Sequence, residues 1–427
     1  MDKINELDDF FLSYMPEGGS AGAIRDCRLE RMVKLCKAFG NPERSLKLYH
    51  IAGSKGKGTT AEMLSLLLEA KGHRTGLFMS PHVYDLRERF TLSGRFFSDE
   101  EYLESANILE EGLGKIDFRP TTFELYTLYS YILFRETECE YGVLETGMGG
   151  RLDATNTIDP VASILMPIEL EHTNVLGSTI SEIATEKSKI IKPLKPVYIA
   201  DNTEEAERVF IAEALENNSP IHFWKKEVRN FTHTEDRNGN LVSFDIDKEH
   251  FELSPRLHSD AIAKNMSLAI LIAKREGFLS PEGLKRLERL VMPGRFEVRT
   301  VNGKTLVLEV AHTARSVRNA LDTFNRIYGK SKDYTCIFGS VEGKDYRSMT
   351  DDIMNSFDNL IISSPGSFKR SNIREIYDYA VKKGGIHSKT TLIEDAREAL
   401  RFALESSEVI LIIGSFYLVG QFGENNA

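Results

Sequence analysis

The sequence predicts an α/β protein made of two doubly wound domains, and three features of the chain lead to this prediction. Its 427 residues exceed the size of one ordinary hydrophobic core, so at least two domains are expected. Short apolar runs alternate with helical patterns, which is typical of mostly parallel sheets covered by helices on both faces. A glycine-rich loop follows the first apolar run directly, as in P-loop ATPase-like domains.

The first domain is predicted to span residues 1–297. It opens with an amphipathic helical pattern over residues 1–40, and a helical pattern closed by Gly72 follows the glycine-rich loop. A hairpin is predicted over 231–246, because Asn238-Gly239 separates two alternating segments. The buried strands are predicted at 46–52, 75–79, 141–146, 161–168 and 197–200.

The second domain is predicted to be smaller and Rossmann-like, spanning residues 298–427, with the boundary near 296–302. Each of its apolar runs is followed by a helical stretch, which again indicates a doubly wound sheet. The strands are predicted at 305–310, 334–338, 359–363, 391–394 and 409–413.

The amino-acid composition of the chain indicates which kinds of molecule it can bind and in which compartment it works. The formal net charge of −10 argues against broad nucleic-acid binding, which leaves a basic footprint, but not against a small anion held in a local pocket. Residues 1–6 lack the features of a signal peptide, and no apolar run is long enough to span a bilayer. The cysteines form no CxxC pair, so idle thiols in a reducing cytoplasm are expected. They are Cys27, Cys36, Cys139 and Cys336.

The glycine-rich loop is interpreted as a phosphate-binding loop. Glycines let the backbone turn its N–H groups towards an anion, and the start of the next helix adds unpaired donors and partial positive charge. The strict Walker pattern fails because Ile51 stands at its first glycine position, which leaves the variant G-x-x-G-K-x-[ST]. The alternative is a glycine-rich surface turn. The loop comprises Gly53, Ser54, Lys55, Gly56, Lys57, Gly58, Thr59 and Thr60.

This loop and several later stretches, in the same order, resemble the folylpolyglutamate synthase/dihydrofolate synthase family of the Mur ligase superfamily. The run Glu145-Thr146-Gly147-Met148-Gly149-Gly150-Arg151-Leu152-Asp153-Ala154-Thr155-Asn156 is the most specific match. The other matching stretches are 40–42, 76–82, 88–89, 171–177, 186–193, 293–295 and 414–420.

The resemblance implies an ATP-dependent ligase that joins L-glutamate to folate or dihydropteroate through an acyl phosphate, with ATP, two Mg²⁺ sites and a monomeric state. It implies catalytic roles for Lys57, Glu145, His172 and a carbamylated Lys187. The metal positions it implies are Thr59, Ser80, Glu145, His172 and Lys187. Besides residues 53–60, Asn265, Arg295 and Glu309 match ATP-binding positions, while Ser80, His82, His312 and Ser415 match substrate positions. Each of two residues has an alternative without a catalytic role. Glu145 could be a carboxylate at a strand end whose hydrogen bonds are all made within the protein, and Lys187 could be a solvated lysine on a helix.

Four residues depart from the family pattern. The usual aspartate, glycine and asparagine at the start of the second domain are replaced by Glu309, Val310 and Thr313, and the usual loop asparagine is replaced by Lys55. These departures lie on the nucleotide and amino-acid side. They keep two alternatives open: a Mur-type ligase for another amino acid and another carboxylate, or a nucleotide-binding regulator that has lost catalysis.

Overall fold

The computed structural model describes residues 1, 3–15, 29–236, 239–384 and 389–423. Within these ranges the strands form a seven-stranded sheet, a three-stranded sheet and a six-stranded sheet. Helices accompany the two large sheets along the chain, so the predicted α/β fold class is confirmed.

The seven-stranded sheet forms the first domain. Its strands are β1 (Lys47–Ala52), β2 (Thr75–Phe78), β3 (Phe90–Leu92), β4 (Tyr141–Glu145), β5 (Ala162–Leu165), β6 (Val197–Ile199) and β7 (Ile221–Phe223). They lie in the order β3-β2-β4-β1-β5-β6-β7. Among the described pairs of this sheet, β2 and β3 are antiparallel and the others are parallel. Because β1, β4 and β5 are parallel neighbours, the loops after their carboxyl ends meet at one edge of the sheet.

The helices of the first domain pack on both faces of this sheet. One apolar core joins the sheet to the helix after β1 and to a long later helix, and a second core on the other face is rich in aromatic residues. No helix in the described ranges is both long and apolar enough to cross a membrane. The helices are α1 (Ile4–Ser13), α2 (Leu29–Ala38), α3 (Lys57–Ala70), α4 (Asp99–Leu113), α5 (Thr122–Glu136), α6 (Thr173–Leu176), α7 (Ile180–Ser188), α8 (Glu204–Glu216), α9 (Trp224–Glu227), α10 (Asp260–Arg275) and α11 (Pro281–Arg289).

The predicted hairpin is confirmed as part of an antiparallel sheet in the order β10-β9-β8. The third strand was not predicted. Asn238, which motivated the prediction, lies outside the described residues, whereas its neighbour Gly239 begins the second strand. The strands are β8 (Val228–Asp236), β9 (Gly239–Ile246) and β10 (Glu249–Leu253).

The six-stranded sheet forms the second domain. Its strands are β11 (Glu297–Val301), β12 (Lys304–Glu309), β13 (Tyr334–Phe338), β14 (Asn359–Ile362), β15 (Lys389–Leu392) and β16 (Val409–Ile413). Their order is β11-β12-β16-β13-β14-β15, with β11 antiparallel to β12 and the other pairs parallel. The strand predicted at 391–394 begins earlier, at Lys389. Its helices are α12 (Ala314–Tyr328), α13 (Tyr346–Met354), α14 (Ile373–Gly384), α15 (Ala396–Ser406) and α16 (Phe416–Val419).

Candidate active site

The glycine-rich loop, the predicted phosphate loop, joins β1 to α3, which begins at Lys57. Gly56 precedes the helix with a φ of 81°, in the left-handed region that favours glycine. A Cβ at Gly56 would lie 2.7 Å from Nδ2 of Asn265, so glycine also permits the close approach of α10. The amide of Ser54 donates to the carbonyl of Pro167 at 2.9 Å, which fixes the loop against the segment after β5.

Glu145, at the end of β4, faces the start of α3. Its Oε1 lies 3.6 Å from Nζ of Lys57, and its Oε2 accepts a hydrogen bond from the amide of Ser80 at 2.9 Å. A Cβ at Gly58 would lie 3.1 Å from Oε2, so the glycine leaves room for the carboxylate beside the loop. Burial raises the pKa of Glu145, against the opposing effect of Lys57. A lysine and a carboxylate therefore sit together at the point where the loop faces the cleft.

A cleft of about 1120 Å³ separates the loop from the second domain. It brings together most of the predicted site residues: Ser54, Lys55, Gly56, Lys57, Gly58, Thr59, Ser80, Glu145, His172, Asn265, Arg295, Glu309 and His312. The ring of Phe416, at the start of α16, also lines the cleft, and the guanidinium of Arg295 lies 5.1 Å from its centroid. The Nη1 of Arg295 is buried without a hydrogen-bond partner in the described residues.

His312 faces the cleft as a neutral imidazole. Burial and the nearby Lys55 lower its pKa to about 4. Its Nδ1 lies 3.0 Å from the carbonyl of Val310. Because a carbonyl only accepts, Nδ1 carries the ring proton and Nε2 keeps its lone pair. Near neutral pH the ring is therefore uncharged, and Nε2 offers a free lone pair to the cleft.

Lys187 lies behind the phosphate loop and is 1 % exposed. Its Nζ donates to the carbonyl of Gly53 at 2.8 Å and lies 3.0 Å from Oε1 of Glu171. Burial and the charge of Lys57 lower its pKa to about 8. His172, which follows Glu171 in the chain, stands at the N-cap of α6, where partial desolvation of its ring lowers its pKa. Lys187 is thus paired with Glu171 as an ammonium, and its carbamylation stays a prediction.

Arg89 lines the cleft, although no role was predicted for it from the sequence. Its guanidinium lies 4.7 Å from the ring centroid of Tyr126, and its Nε donates to Nδ1 of His82 at 2.8 Å. Burial lowers the pKa of both residues, to about 3 for His82. The predicted substrate residue His82 thus stands behind Arg89 as a neutral acceptor. The only signal in the sequence was the position of Arg89 in a matching stretch.

The remaining predicted site residues do not line the cleft themselves. Ser415 is 2 % exposed, and its Oγ accepts from the amide of Tyr417 at the start of α16. Gly53 supplies the carbonyl that binds Lys187, and Thr60 is fully buried in α3. No result here tests the substrate role of Ser415 or His82, so both stay predictions.

Thr313 replaces the family asparagine without loss of a local role. Its Oγ1 accepts from the amide of Ser316 at 3.3 Å, and it stands at the N-cap of α12. Threonine and asparagine are both accepted N-cap residues. Lys55, another substituted residue, lines the cleft and is half-buried, and this burial lowers its pKa.

Helix α12 connects the second domain to the first at two places. Near its C-terminus Nε of Arg326 donates to Oε1 of Glu235, in β8, at 3.1 Å. Near its N-terminus Nη1 of Arg315 lies 3.2 Å from Oε1 of Glu169. The Arg315 side chain is 72 % exposed, so its pair contributes little, whereas Glu235 is 1 % exposed and anchors the helix more firmly.

We expect the contribution of Glu235 to stability to depend on pH. Burial alone would raise its pKa, but contacts from His258, Arg326 and the amide of Ser259 outweigh burial and lower the pKa from 4.5 to about 2. The stabilisation is therefore complete above the unfolded value and is lost as pH falls from about 4.5 towards 2. Glu235→Gln should cost roughly 2–3 kcal/mol near neutrality and almost nothing at the acid end.

Thermal unfolding of Glu235→Gln and the wild type across this pH range measures the difference. Glu252→Gln, an exposed position in β10, is the matched control and should show no trend. A constant gap between Glu235→Gln and the wild type at all pH values would contradict the assignment.

Oxygen atoms that suit Mg²⁺ meet beside the loop. Among the described ranges, no group of three or more His, Cys, Asp or Glu side chains is arranged to hold a metal ion. Mg²⁺ usually needs only one or two carboxylates, because substrate phosphates and water supply the rest. Glu145 with the hydroxyls of Thr59 and Ser80 fits that requirement, and the glycine at 58 leaves the space open. Lys187 in its ammonium form does not fit a second site.

A glycine-rich loop between a strand and a helix, facing a second α/β domain across a cleft, is typical of two-domain nucleotide-dependent enzymes. The family model described as the Mur ligase middle domain matches residues 51–273, and the model of the Mur ligase glutamate ligase domain matches residues 294–416. The chain belongs to the Mur ligase family and is an ATP-dependent ligase, as predicted.

Individual relatives place the resemblance more closely. The dihydrofolate synthase/folylpolyglutamate synthase of Bacillus subtilis is 28% identical over 407 residues, which cover 92% of this chain and 93% of the relative. The folylpolyglutamate synthase structure of Thermotoga maritima has a TM-score of 0.84 at 26% identity and covers 99% of this chain and 96% of that chain. The structure of an FPGS–AMPPCP–folate complex has a TM-score of 0.82 at 25% identity, and the match covers 99% of this chain and 98% of that chain. The predicted family resemblance is confirmed.

Proposed function

We propose that this ligase adds L-glutamate to dihydropteroate, to the γ-carboxylate of a reduced folate, or to both, through an acyl phosphate. The observation that carries the proposal is the pairing of Lys57 with Glu145 at the phosphate loop, opposite His312 across one cleft. The names of the relatives, which include dihydrofolate and folylpolyglutamate synthases, support the substrate class.

In the first step the loop holds the polyphosphate of ATP. A carboxylate oxygen of the acceptor attacks the γ-phosphorus, the bond from that phosphorus to the β,γ-bridging oxygen breaks, and ADP leaves. Lys57 and Arg295 both line the cleft and stabilise negative charge on the transferring group. The unpartnered Nη1 of Arg295 is available for a phosphate oxygen.

The proposal includes Mg²⁺, which Thr59, Ser80 and Glu145 would hold. When bound, the ion neutralises charge on the phosphates and polarises them towards attack. Glu145 also keeps Lys57 in place through the 3.6 Å contact, and the amide of Ser80 orients the carboxylate.

A second Mg²⁺ site would use His172 and a carbamylated Lys187. The buried amine has a pKa of about 8, so a larger share of it is neutral than for an exposed lysine, and only a neutral amine combines with carbon dioxide. The intact mass of the protein with and without bicarbonate tests this modification. An unchanged mass in bicarbonate would restrict the proposal to the first metal site.

The acceptor is proposed to enter beside Arg89. The guanidinium of this half-buried residue contacts a neutral histidine and an aromatic ring, and a substrate carboxylate would compensate its charge. Phe123, Met148 and Leu152 add an apolar wall to the same cleft, suited to a flat ring system.

In the second step the amine of glutamate attacks the acyl carbon, and the bond from that carbon to the phosphate oxygen breaks. The attacking amine must be neutral, and one proton must leave the nitrogen. The lone pair on Nε2 of His312 can accept this proton. Domain closure would exclude water that hydrolyses the acyl phosphate.

We expect His312→Ala to slow amide formation roughly 10²-fold, the usual size of a lost general base. Acceptor-dependent ADP release should persist, because the first step does not use His312. Product analysis beside an ADP assay separates the two steps. The exposed His250, in β10, gives the control His250→Ala, which should match the wild type. Equal loss of both steps would remove the proposed base role.

The substrate class is tested by an ADP-release screen with dihydropteroate and tetrahydrofolate, each with and without L-glutamate. L-Aspartate, shorter by one methylene, is the matched control for the amino acid. Glutamate-dependent release with either acceptor supports the proposal. A response only to another amino acid would favour the alternative Mur-type ligase, which Glu309 and Thr313 motivate. No turnover at all would favour a regulator.

The cellular setting follows from the same proposal. We propose small-molecule partners only, a monomer, and a cytoplasmic enzyme. The described cysteines Cys36, Cys139 and Cys336 are free and buried, which accords with a reducing compartment. Sedimentation of the purified protein, with and without ATP, measures the oligomeric state.

A further inference from the structure

The two domains are joined by a short backbone ladder around Glu309. The carbonyl of Gly294 accepts from the amide of Val310 at 2.9 Å. The carboxylate of Glu309 accepts from the amide of Phe296 through Oε2 at 2.9 Å, and from the amide of Ala311 through Oε1 at 2.8 Å. Glu309 therefore ties the segment that leaves the first domain to the loop that leads into α12.

The segment that Glu309 holds has an unusual backbone. Phe296 has a φ of 49°, a left-handed conformation that non-glycine residues rarely adopt, and Gly294 has a φ of 62°. Such a residue persists only where its surroundings fix it. Its amide is held by Glu309, and its ring is buried in the second-domain core, 5.4 Å from the ring of His258 in the first domain.

Val310, which replaces the family glycine, completes this junction. Its Cγ1 lies 2.5 Å from the position that a Cβ on Gly294 would take, so the valine fills the space beside that glycine. Both substituted residues, Glu309 and Val310, thus contact the same junction segment. The longer side chain at 309 reaches both amides, and aspartate would be shorter by one carbon–carbon bond, roughly 1.5 Å.

Arg295 stands between the two left-handed residues of this segment. The direction of its side chain is therefore set by the turn that Glu309 holds. Its guanidinium faces the cleft over Phe416, and its Nη1 is buried without a partner among the described residues. Displacing the amide of Phe296 would displace Arg295 with it.

We propose that Glu309 is a positioning residue of the interdomain junction, which acts on catalysis by aiming Arg295 at the nucleotide, and is not a ligand of the ribose. The inference rests on the proposed function for its kinetic consequences only. It replaces the ATP-binding role that the resemblance implied for Glu309. The hydrogen bonds on both carboxylate oxygens carry it.

Hydrogen exchange tests the junction without any ligase activity. In the unliganded wild type, the amides of Phe296 and Ala311 should exchange slowly, and Glu309→Gln should speed exchange at one or both, because an amide NH₂ group replaces one acceptor. Glu309→Asp provides a second variant that keeps the charge and should expose Phe296 selectively. Rapid exchange of Phe296 in the wild type would overturn the proposal, whatever the enzyme's substrate.

The kinetic test distinguishes aiming from ribose binding. Both Glu309 variants should lower kcat by about tenfold to 10²-fold, with KM for ATP within about threefold of the wild type. The penalty for 2′-deoxy-ATP and 3′-deoxy-ATP relative to ATP should be unchanged in Glu309→Gln. Loss of that penalty in the variant would establish ribose contact and refute the inference.

The last test asks whether the effects of substituting Glu309 and Arg295 on kcat are independent. If Glu309 acts through Arg295, Glu309→Gln should add little to the loss already caused by Arg295→Lys. Additive losses would contradict the proposal. Glu408→Gln is the matched control, since Glu408 is an exposed glutamate that pairs with Lys304 at the other end of β12, and its kcat should equal that of the wild type.

Discussion

Replacing Lys57 with alanine is expected to lower kcat by at least roughly 10²–10³-fold, the loss that follows removal of one charge-stabilising donor. Lys57 is the first residue of α3, so its ammonium adds to the partial positive charge of the helix start. Its Nζ lies 3.6 Å from Glu145, which holds it at the loop. Charge on the transferring phosphoryl group would then lack its nearest protein cation.

Acceptor-dependent ADP release under saturating substrates measures this loss. The control is Lys71→Ala, an exposed lysine just beyond the other end of α3, which should leave kcat unchanged. Near-normal turnover of Lys57→Ala would show that the loop does not hold the reacting phosphate.

Replacing Glu145 with glutamine is expected to have a comparable effect, a kcat loss of roughly 10²-fold or more. Glutamine has nearly the same shape and can still accept from the amide of Ser80, but it removes the carboxylate charge. Two consequences follow. Lys57 loses its partner, and Mg²⁺ loses the one carboxylate that the described cleft offers beside Thr59 and Ser80.

The distinguishing readout is the Mg²⁺ concentration that gives half-maximal activity, which should rise in Glu145→Gln. Glu140→Gln, an exposed position just before β4, is the control for a charge change on the same strand. An unchanged Mg²⁺ requirement, even with a reduced kcat, would remove Glu145 from the metal site.

The glycine-rich loop and its place between a strand and a helix could be predicted from the sequence because their determinants are local. Glycines at 56 and 58, a strand before them and a helix after them suffice to shape the loop, and each could be read from neighbouring residues. The carboxyl ends of parallel strands meet at one edge, so Glu145 could also be placed beside the loop from topology alone.

The second-domain side was harder to predict, because its contacts depend on how the two domains meet. The role of Glu309 requires the amide of Phe296, and no local pattern shows that this amide would be free to donate. The edge strand β11 was not predicted. It is defined by its pairing with β12, its one neighbour in the sheet, and not by a local alternation of apolar and polar residues.

Two substrate predictions illustrate a related limit. The resemblance pointed to His82 and Ser415, whose side chains contact Arg89 and a helix start rather than the cleft surface. A sequence match assigns a position but not the direction of a side chain. Arg89 belongs to a matching stretch, yet only the structure shows that its guanidinium lines the cleft over Tyr126.

The claim that underlies this account is that the cleft converts a substrate carboxylate into an acyl phosphate. The direct measurement uses an acceptor whose reacting carboxylate carries a heavy oxygen isotope, followed by mass analysis of the phosphate released during one round of amide formation. The account predicts that one labelled oxygen passes to the inorganic phosphate. Unlabelled phosphate formed together with the amide product would contradict it.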